Sequence, residues 1–139
     1  MKKIFFLSFL LCNAILLSAQ SVTGKWKTID DETGKAKSVV EVYEKNGEIR
    51  GRVIQLFRSA DEDKDPICKE CKGSKKGQKI IGMEIMEGLV KDDDEYDDGT
   101  ILDPNNGKVY DCKIWLEDDK LMVRGYIGPF FRTQEWHRF

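Results

Sequence analysis

The stretch that most constrains the fold is KSVVEVYEKNGEIRGRVIQLF, residues 37–57. Asn46-Gly47 is the preferred pair for a two-residue type I′ turn, and such a turn fixes the register of the strands on either side. It sets Lys45 opposite Glu48, Tyr43 opposite Arg50 and Glu41 opposite Arg52 on one face. Two of these pairs are opposite charges and the third places a cation beside an aromatic ring. The other face pairs Val42 with Gly51 and Val40 with Val53. One solvated side and one apolar side define an antiparallel sheet with a single buried face.

A second hairpin follows from VYDCKIWLEDDKLMVRGYIG, residues 109–128. With Asp118-Asp119 as its turn, Leu116 faces Leu121, Ile114 faces Val123, Cys112 faces Gly125 and Tyr110 faces Ile127. The opposite face carries Asp111, Lys113, Trp115, Met122, Arg124 and Tyr126. Lys113 opposite Arg124 is unfavourable, and the diagonal Asp111 is the expected relief.

Both hairpins place a glycine on the apolar face directly after an arginine, Gly51 and Gly125. Glycine inside a strand marks a bend or a close backbone approach, and bending of inward faces is how a sheet closes into a barrel. Further strands are read in TGKWKTI, QKIIGMEIM, DGTIL and RTQEWHRF, and no segment has a convincing amphipathic helical period. The expected fold is all-β: a small antiparallel barrel of about eight to nine strands, near the size that leaves a small lumen.

The N-terminus predicts export. Lys2 and Lys3 precede an apolar run, Ile4 to Leu17, and Ser18-Ala19 supplies small residues at a cleavage point. The run is shorter than the roughly 20 residues of a spanning helix. Residues 1–19 are therefore read as a signal peptide and 20–139 as one barrel domain in a periplasmic or extracellular setting. Gln20 stands where a lipoprotein would carry its lipidated cysteine, so no membrane anchor is expected. Two of the 23 basic residues fall in the leader, leaving 21 against 25 acidic ones, a formal charge of −4. That balance argues against a nucleic-acid partner and against a polybasic attachment to anionic lipid.

The residues Gly24-Lys25-Trp26, Asp65-Pro66-x-Cys68-x-x-Cys71, GQKIIG, Asp103-Pro104-x-x-Gly107-x-x-Tyr110, RGYIG and RTQEW occur in this order. Together they resemble the secreted bacterial family known as domain of unknown function 2147, from about Val22 to Phe139. The resemblance implies a lipocalin-like (calycin) barrel with no established activity. Gly24-x-Trp26 is similar to the Gly-x-Trp of the lipocalin first strand, whose tryptophan packs at the closed end under an arginine from near the last strand. Arg138 stands where that arginine would be, with Arg132 the competing candidate.

Cys12 leaves with the signal, so the mature chain has three cysteines, Cys68, Cys71 and Cys112. An odd number in an oxidising compartment means one pair and one leftover, or an intermolecular bond. A structural zinc site would need all three and His137, the one histidine, at a single point. A thioredoxin-type pair belongs at a strand-to-helix junction, whereas Cys68-x-x-Cys71 lies between Pro66 and Gly73 in a loop. The favoured reading is a disulfide that pins the 58–78 loop. Cys112 is read as a buried free thiol. No metal and no cofactor are expected.

The acidic runs carry little chemistry. DEDKD, residues 61–65, begins like a calcium loop but has Pro66 and Lys72 where an EF-hand needs Gly and Glu. KDDDEYDDG, residues 91–99, departs further, and both are read as solvated loop charge. Asp103-Pro104-Asn105-Asn106-Gly107 is what a turn requires. No Gly-x-Ser-x-Gly appears and His137 is the sole imidazole, so no enzyme is expected.

The functional expectation is a small apolar ligand held in the lumen, lined by Val40, Val42, Val53, Tyr110, Cys112, Ile114, Val123 and Ile127, with Gln134 added if Trp136 points inward. The alternative is a filled barrel that meets a protein partner through outer aromatics, Tyr43, Trp115 and Tyr126, and the lysine-rich 69–79 loop.

Overall fold

The structure, a computed structural model, describes residues 21–139; the leader read over residues 1–19 lies outside the described residues. Its strands are β1 Gly24–Ile29, β2 Ala36–Lys45, β3 Glu48–Leu56, β4 Glu84–Asp92, β5 Glu95–Asp103, β6 Lys108–Glu117, β7 Lys120–Ile127 and β8 Phe130–Arg138. Each pairs antiparallel with the next and β8 returns to β1, closing an eight-stranded barrel. Tight turns drive this order. Asn46 and Gly47 both take positive φ, as do Asp118 and Asp119, the conformation a two-residue hairpin demands. The 3₁₀ turn Gly73–Lys75 lies in the long β3–β4 connection.

The first hairpin has the expected register: Lys45 faces Glu48, Tyr43 faces Arg50, Glu41 faces Arg52, Val42 faces Gly51 and Val40 faces Val53. The Glu41–Arg52 ion pair forms as the register implies, while the other two side-chain pairs are exchanged. Arg52 stacks over the Tyr43 ring at 4.7 Å and bonds Glu41, while Arg50 bonds Glu84 of β4 and Glu48. Hairpin β6–β7 also has the expected register from Asp111↔Tyr126 to Glu117↔Lys120. The Lys113–Arg124 clash is relieved by β5 rather than by Asp111. Lys113 reaches Glu95 at 2.6 Å, and the Arg124 guanidinium lies between the Trp115 and Phe131 rings.

Two segments differ from the sequence reading. KDDDEYDDG is not loop charge but the β4–β5 hairpin: Asp93 turns the chain at positive φ, and Glu95–Asp103 is a strand. Asp92, Asp93, Asp94 and Asp98 are exposed while Tyr96 packs against the core, and a register shift between Tyr96 and the buried Gly99 interrupts the alternation that would mark a strand. The strand read in QKIIGMEIM begins only at Glu84; Gln78 to Met83 belong to the β3–β4 connection.

Up-and-down topology puts the turns after β2, β4 and β6 at one end of the barrel, with the chain start. The connections after β1, β3, β5 and β7 share the other end. At the first end Arg138 lies 4.1 Å over the Trp26 ring and donates to the carbonyls of Ser21 and Thr23. The Trp26 indole donates to the Val22 carbonyl at 2.9 Å. Gly24 takes φ +129, and a Cβ there would sit 3.2 Å from the Arg138 guanidinium. Arg132, the competing arginine, is at the opposite end beside Asp31.

The barrel interior is one packed cluster. Trp26, Val40, Val42, Val53, Met86, Leu89, Ile114, Leu121, Val123 and Trp136 are all but fully buried in it. Gly51 makes the close approach its position suggested: a Cβ there would lie 3.1 Å from Val40 Cγ1 and 3.2 Å from Met86 Cβ. Interiors at crystal-like density have no slack for an added group of that size.

Candidate functional site

The connection from residue 57 to residue 83 folds over the second end of the barrel as a lid. Its stem is a narrow hairpin: Cys68 N–H donates to Gln78 O, Gly77 N–H to Cys68 O and Ile80 N–H to Pro66 O. Inside the stem Cys68 and Cys71 form a disulfide, and both are buried within the core cluster. The bond engages two of the three thiols a zinc site would have needed. Cys112, the third, is a buried free thiol facing Gly125. Burial, and secondarily the negative charge of Asp97, push its pKa up to about 12.

The lid rests on the β5–β6 turn. Asp103 Oδ1 accepts from Asn105 N–H at 2.9 Å and its carbonyl from Gly107 N–H at 2.8 Å, the turn read from Asp-Pro-Asn-Asn-Gly. Gly107 is at φ +72, and a Cβ would fall 1.9 Å from the Glu70 carbonyl oxygen. Backbone of the lid therefore lies directly on this turn, and Cys68 Sγ is 3.5 Å from the Pro104 carbonyl. Lys75 ties the lid to β4 by donating to the Glu84 carbonyl at 2.7 Å.

A cleft of about 460 Å³ opens along the edge of the lid. Its wall is formed by Cys71, Lys72 and Lys75 from the lid, and by Leu102, Gly107, Lys108, Val109 and Ile127 from the rim. Apolar side chains and three lysines share the lining, and no carboxylate is among the lining residues. This size is within the roughly 300–1,000 Å³ of small-molecule sites.

The sequence-derived lining divides between two places. Val40, Val42, Val53, Ile114, Val123, Cys112 and Trp136 belong to the filled core, and none of them lines the cleft. Ile127 differs from its expected place inside the lumen: it is the last residue of β7, exposed at the rim, where it forms part of the cleft wall. Tyr110 is half-buried against Gly125, where a Cβ would lie 3.4 Å from the Tyr110 Cβ, and its hydroxyl accepts from Asn106 Nδ2 at 3.1 Å. Trp136 points inward and its indole donates to Gln134 Oε1 at 3.2 Å; Gln134 Nε2 in turn donates to Asp31, which Arg132 also binds. This polar chain runs from the core to the lidded end. The outer aromatics do not form one surface: Tyr43 is on β2 and Trp115 and Tyr126 on β6 and β7, across the barrel.

Leu102, Lys108 and Val109 were not among the sequence-derived candidates, and Lys72 and Lys75 were read only as part of a lysine-rich loop facing a protein partner. Topology alone held the signal. In an up-and-down barrel the Cys-x-x-Cys loop and the Asp-Pro-Asn-Asn-Gly turn must share an end, because two strands separate them.

An eight-stranded antiparallel barrel with a Gly-x-Trp first strand, closed at one end by a tryptophan–arginine stack and lidded at the other, is lipocalin-like. The chain belongs to the family described as an uncharacterized protein conserved in bacteria (DUF2147), whose profile matches residues 24–138. A solved structure described as protein HP1028 from the human pathogen Helicobacter pylori, of the lipocalin family, is similar in fold. Its TM-score is 0.74 at 20% sequence identity, over 87% of this chain and 84% of that one. The comparison with curated proteins found no match.

Proposed function

We propose that this chain is an exported binding protein that carries a small, largely apolar ligand in the cleft between lid and rim. The observation that carries this reading is the cleft itself, lined by the apolar Leu102, Val109, Ile127 and Cys71 together with three lysines. The packed interior around Trp26, Met86 and Trp136 argues against a deep site. The lysines suit a ligand that has an anionic group beside its apolar body. The lipocalin-like fold supports binding over catalysis, and a buried disulfide suits an oxidising compartment. No helix of the described residues is long and apolar enough to cross a membrane.

The probe for the test is 1-anilinonaphthalene-8-sulfonate, an apolar anion whose emission rises on transfer out of water. Ile127→Glu changes an exposed side chain, so folding is expected to persist while probe affinity drops at least about tenfold, the value of one lost apolar anchor. Val123→Phe overpacks the core at a cost of about 1–3 kcal/mol and is expected to leave probe affinity unchanged at a temperature where the variant is folded. The opposite pattern, loss with Val123→Phe and none with Ile127→Glu, would return the site to the lumen.

A further inference from the structure

The lid is not held evenly along its length. Its stem is knitted by backbone bonds from Cys68 to Gln78 and Gly77 and from Ile80 to Pro66, by the bridge Ile67↔Lys79, and by the Lys79–Asp65 ion pair at 2.8 Å. Lys75 is fixed separately, through its bond to the Glu84 carbonyl. Between these anchors, residues 69–72 make no backbone–backbone hydrogen bond among the described residues. What holds this span is the Cys68–Cys71 disulfide, the burial of Cys71 in the core cluster and the rest of the Glu70 carbonyl on Gly107. Two of the three lid residues in the cleft wall, Cys71 and Lys72, belong to it.

Cutting the disulfide replaces one bond by two thiols, whose sulfurs must separate to van der Waals contact. Cys68 cannot yield, because it is fully buried and its N–H and carbonyl are both bonded within the stem. The packed core beneath has no slack for the extra volume. Cys71 is therefore the residue that moves, and it takes the wall of the cleft with it.

We propose, on the reading that the cleft binds a ligand, that Cys68–Cys71 is a redox gate: reduction by a dithiol displaces residues 69–72 and releases the ligand, and bound ligand protects the disulfide. A thiolate of the dithiol attacks Cys71 Sγ, and the S–S electron pair leaves on Cys68, which takes up a proton. The second thiolate of the reductant then displaces Cys71, which is protonated in turn. The lid gains two electrons and two protons, and the dithiol closes to a disulfide. Linkage makes the coupling reciprocal: the factor by which reduction weakens binding is the factor by which ligand disfavours reduction.

The test equilibrates the mature chain in mixtures of reduced and oxidised dithiothreitol, with 1-anilinonaphthalene-8-sulfonate as the probe. Alkylation of the acid-quenched, unfolded chain counts Cys112 alone in the oxidised form and all three cysteines in the reduced form. Reduction is expected to raise the dissociation constant of the probe about tenfold, with native far-ultraviolet circular dichroism. Saturating probe is expected to lower the midpoint potential by about 30 mV for that tenfold change. Cys68→Ser/Cys71→Ser is expected to bind as the reduced chain does and to be indifferent to dithiothreitol. Equal or tighter binding by the reduced wild-type chain, with a potential the probe leaves unmoved, overturns the gate and leaves the cleft as a binding site. Failure of the oxidised chain to bind the probe at all removes the cleft reading and the gate with it.

Discussion

Cys112 shows how far a single position can be read. Its place opposite Gly125 on an inward face followed from a two-residue turn six residues away, and the structure puts it there. Burial keeps the thiol protonated, with a pKa raised to about 12, and the thiolate is the reactive form. Native protein is therefore expected to be inert to iodoacetamide at pH 8 and to take up one label per chain once unfolded without reductant. Rapid labelling of the native state would show an open path to the interior. The pairing partners of charged residues were less legible. Register told that Lys113 would sit beside Arg124, but its partner, Glu95, comes from a strand whose sequence, crowded with aspartates, looks like a solvated loop. Side chains of that length choose among three strands, and local sequence displays only two.

At the scale of elements, the hairpins were legible because each turn carries its own conformational demand. Asn46-Gly47 and Asp118-Asp119 fix registers without help from the rest of the chain. The lid was legible only as a pinned loop. Nothing local to residues 57–83 says where they rest, since the docking partner, Gly107, is met through the Glu70 carbonyl, a backbone atom with no sequence signature. Gly107→Ala is expected to lift the lid from the β5–β6 turn and leave the barrel intact. The checking measurement is the rate at which a small phosphine reduces Cys68–Cys71, which should rise severalfold while the far-ultraviolet circular dichroism stays native. The disulfide closes so short a loop that chain entropy assigns it only about 2 kcal/mol. Its reduction is accordingly expected to loosen the lid rather than unfold the strands.

For the whole molecule, closure of an all-β barrel was expected from inward glycines and strand count, and the eight-stranded ring has that form. The filling of its interior was not legible, because the same inward valines line a lumen or pack a core; Trp26, Met86, Leu89 and Trp136 decide it from strands with no shared local pattern. The ring is not uniform. β7 and β8 pair over eight positions, but β1 and β8 pair at Trp26↔Arg138 and Lys27↔His137, with one further backbone bond from Phe139 N–H to the Lys25 carbonyl. Amides of β1 beyond Lys27 on the β8 side are expected to exchange with deuterium sooner than those of the β2–β3 hairpin, and equal protection across the seam would contradict this.

The short seam has a mechanical consequence. A hoop of eight staves gives way at its weakest joint, and here that joint is riveted at one end by the stacked Trp26 and Arg138 and bridged further along only through Asp31, bound by Arg132 and Gln134. Strain applied at the lidded end would part the wall there like a collar unbuttoned from the top, with the bottom button still fastened.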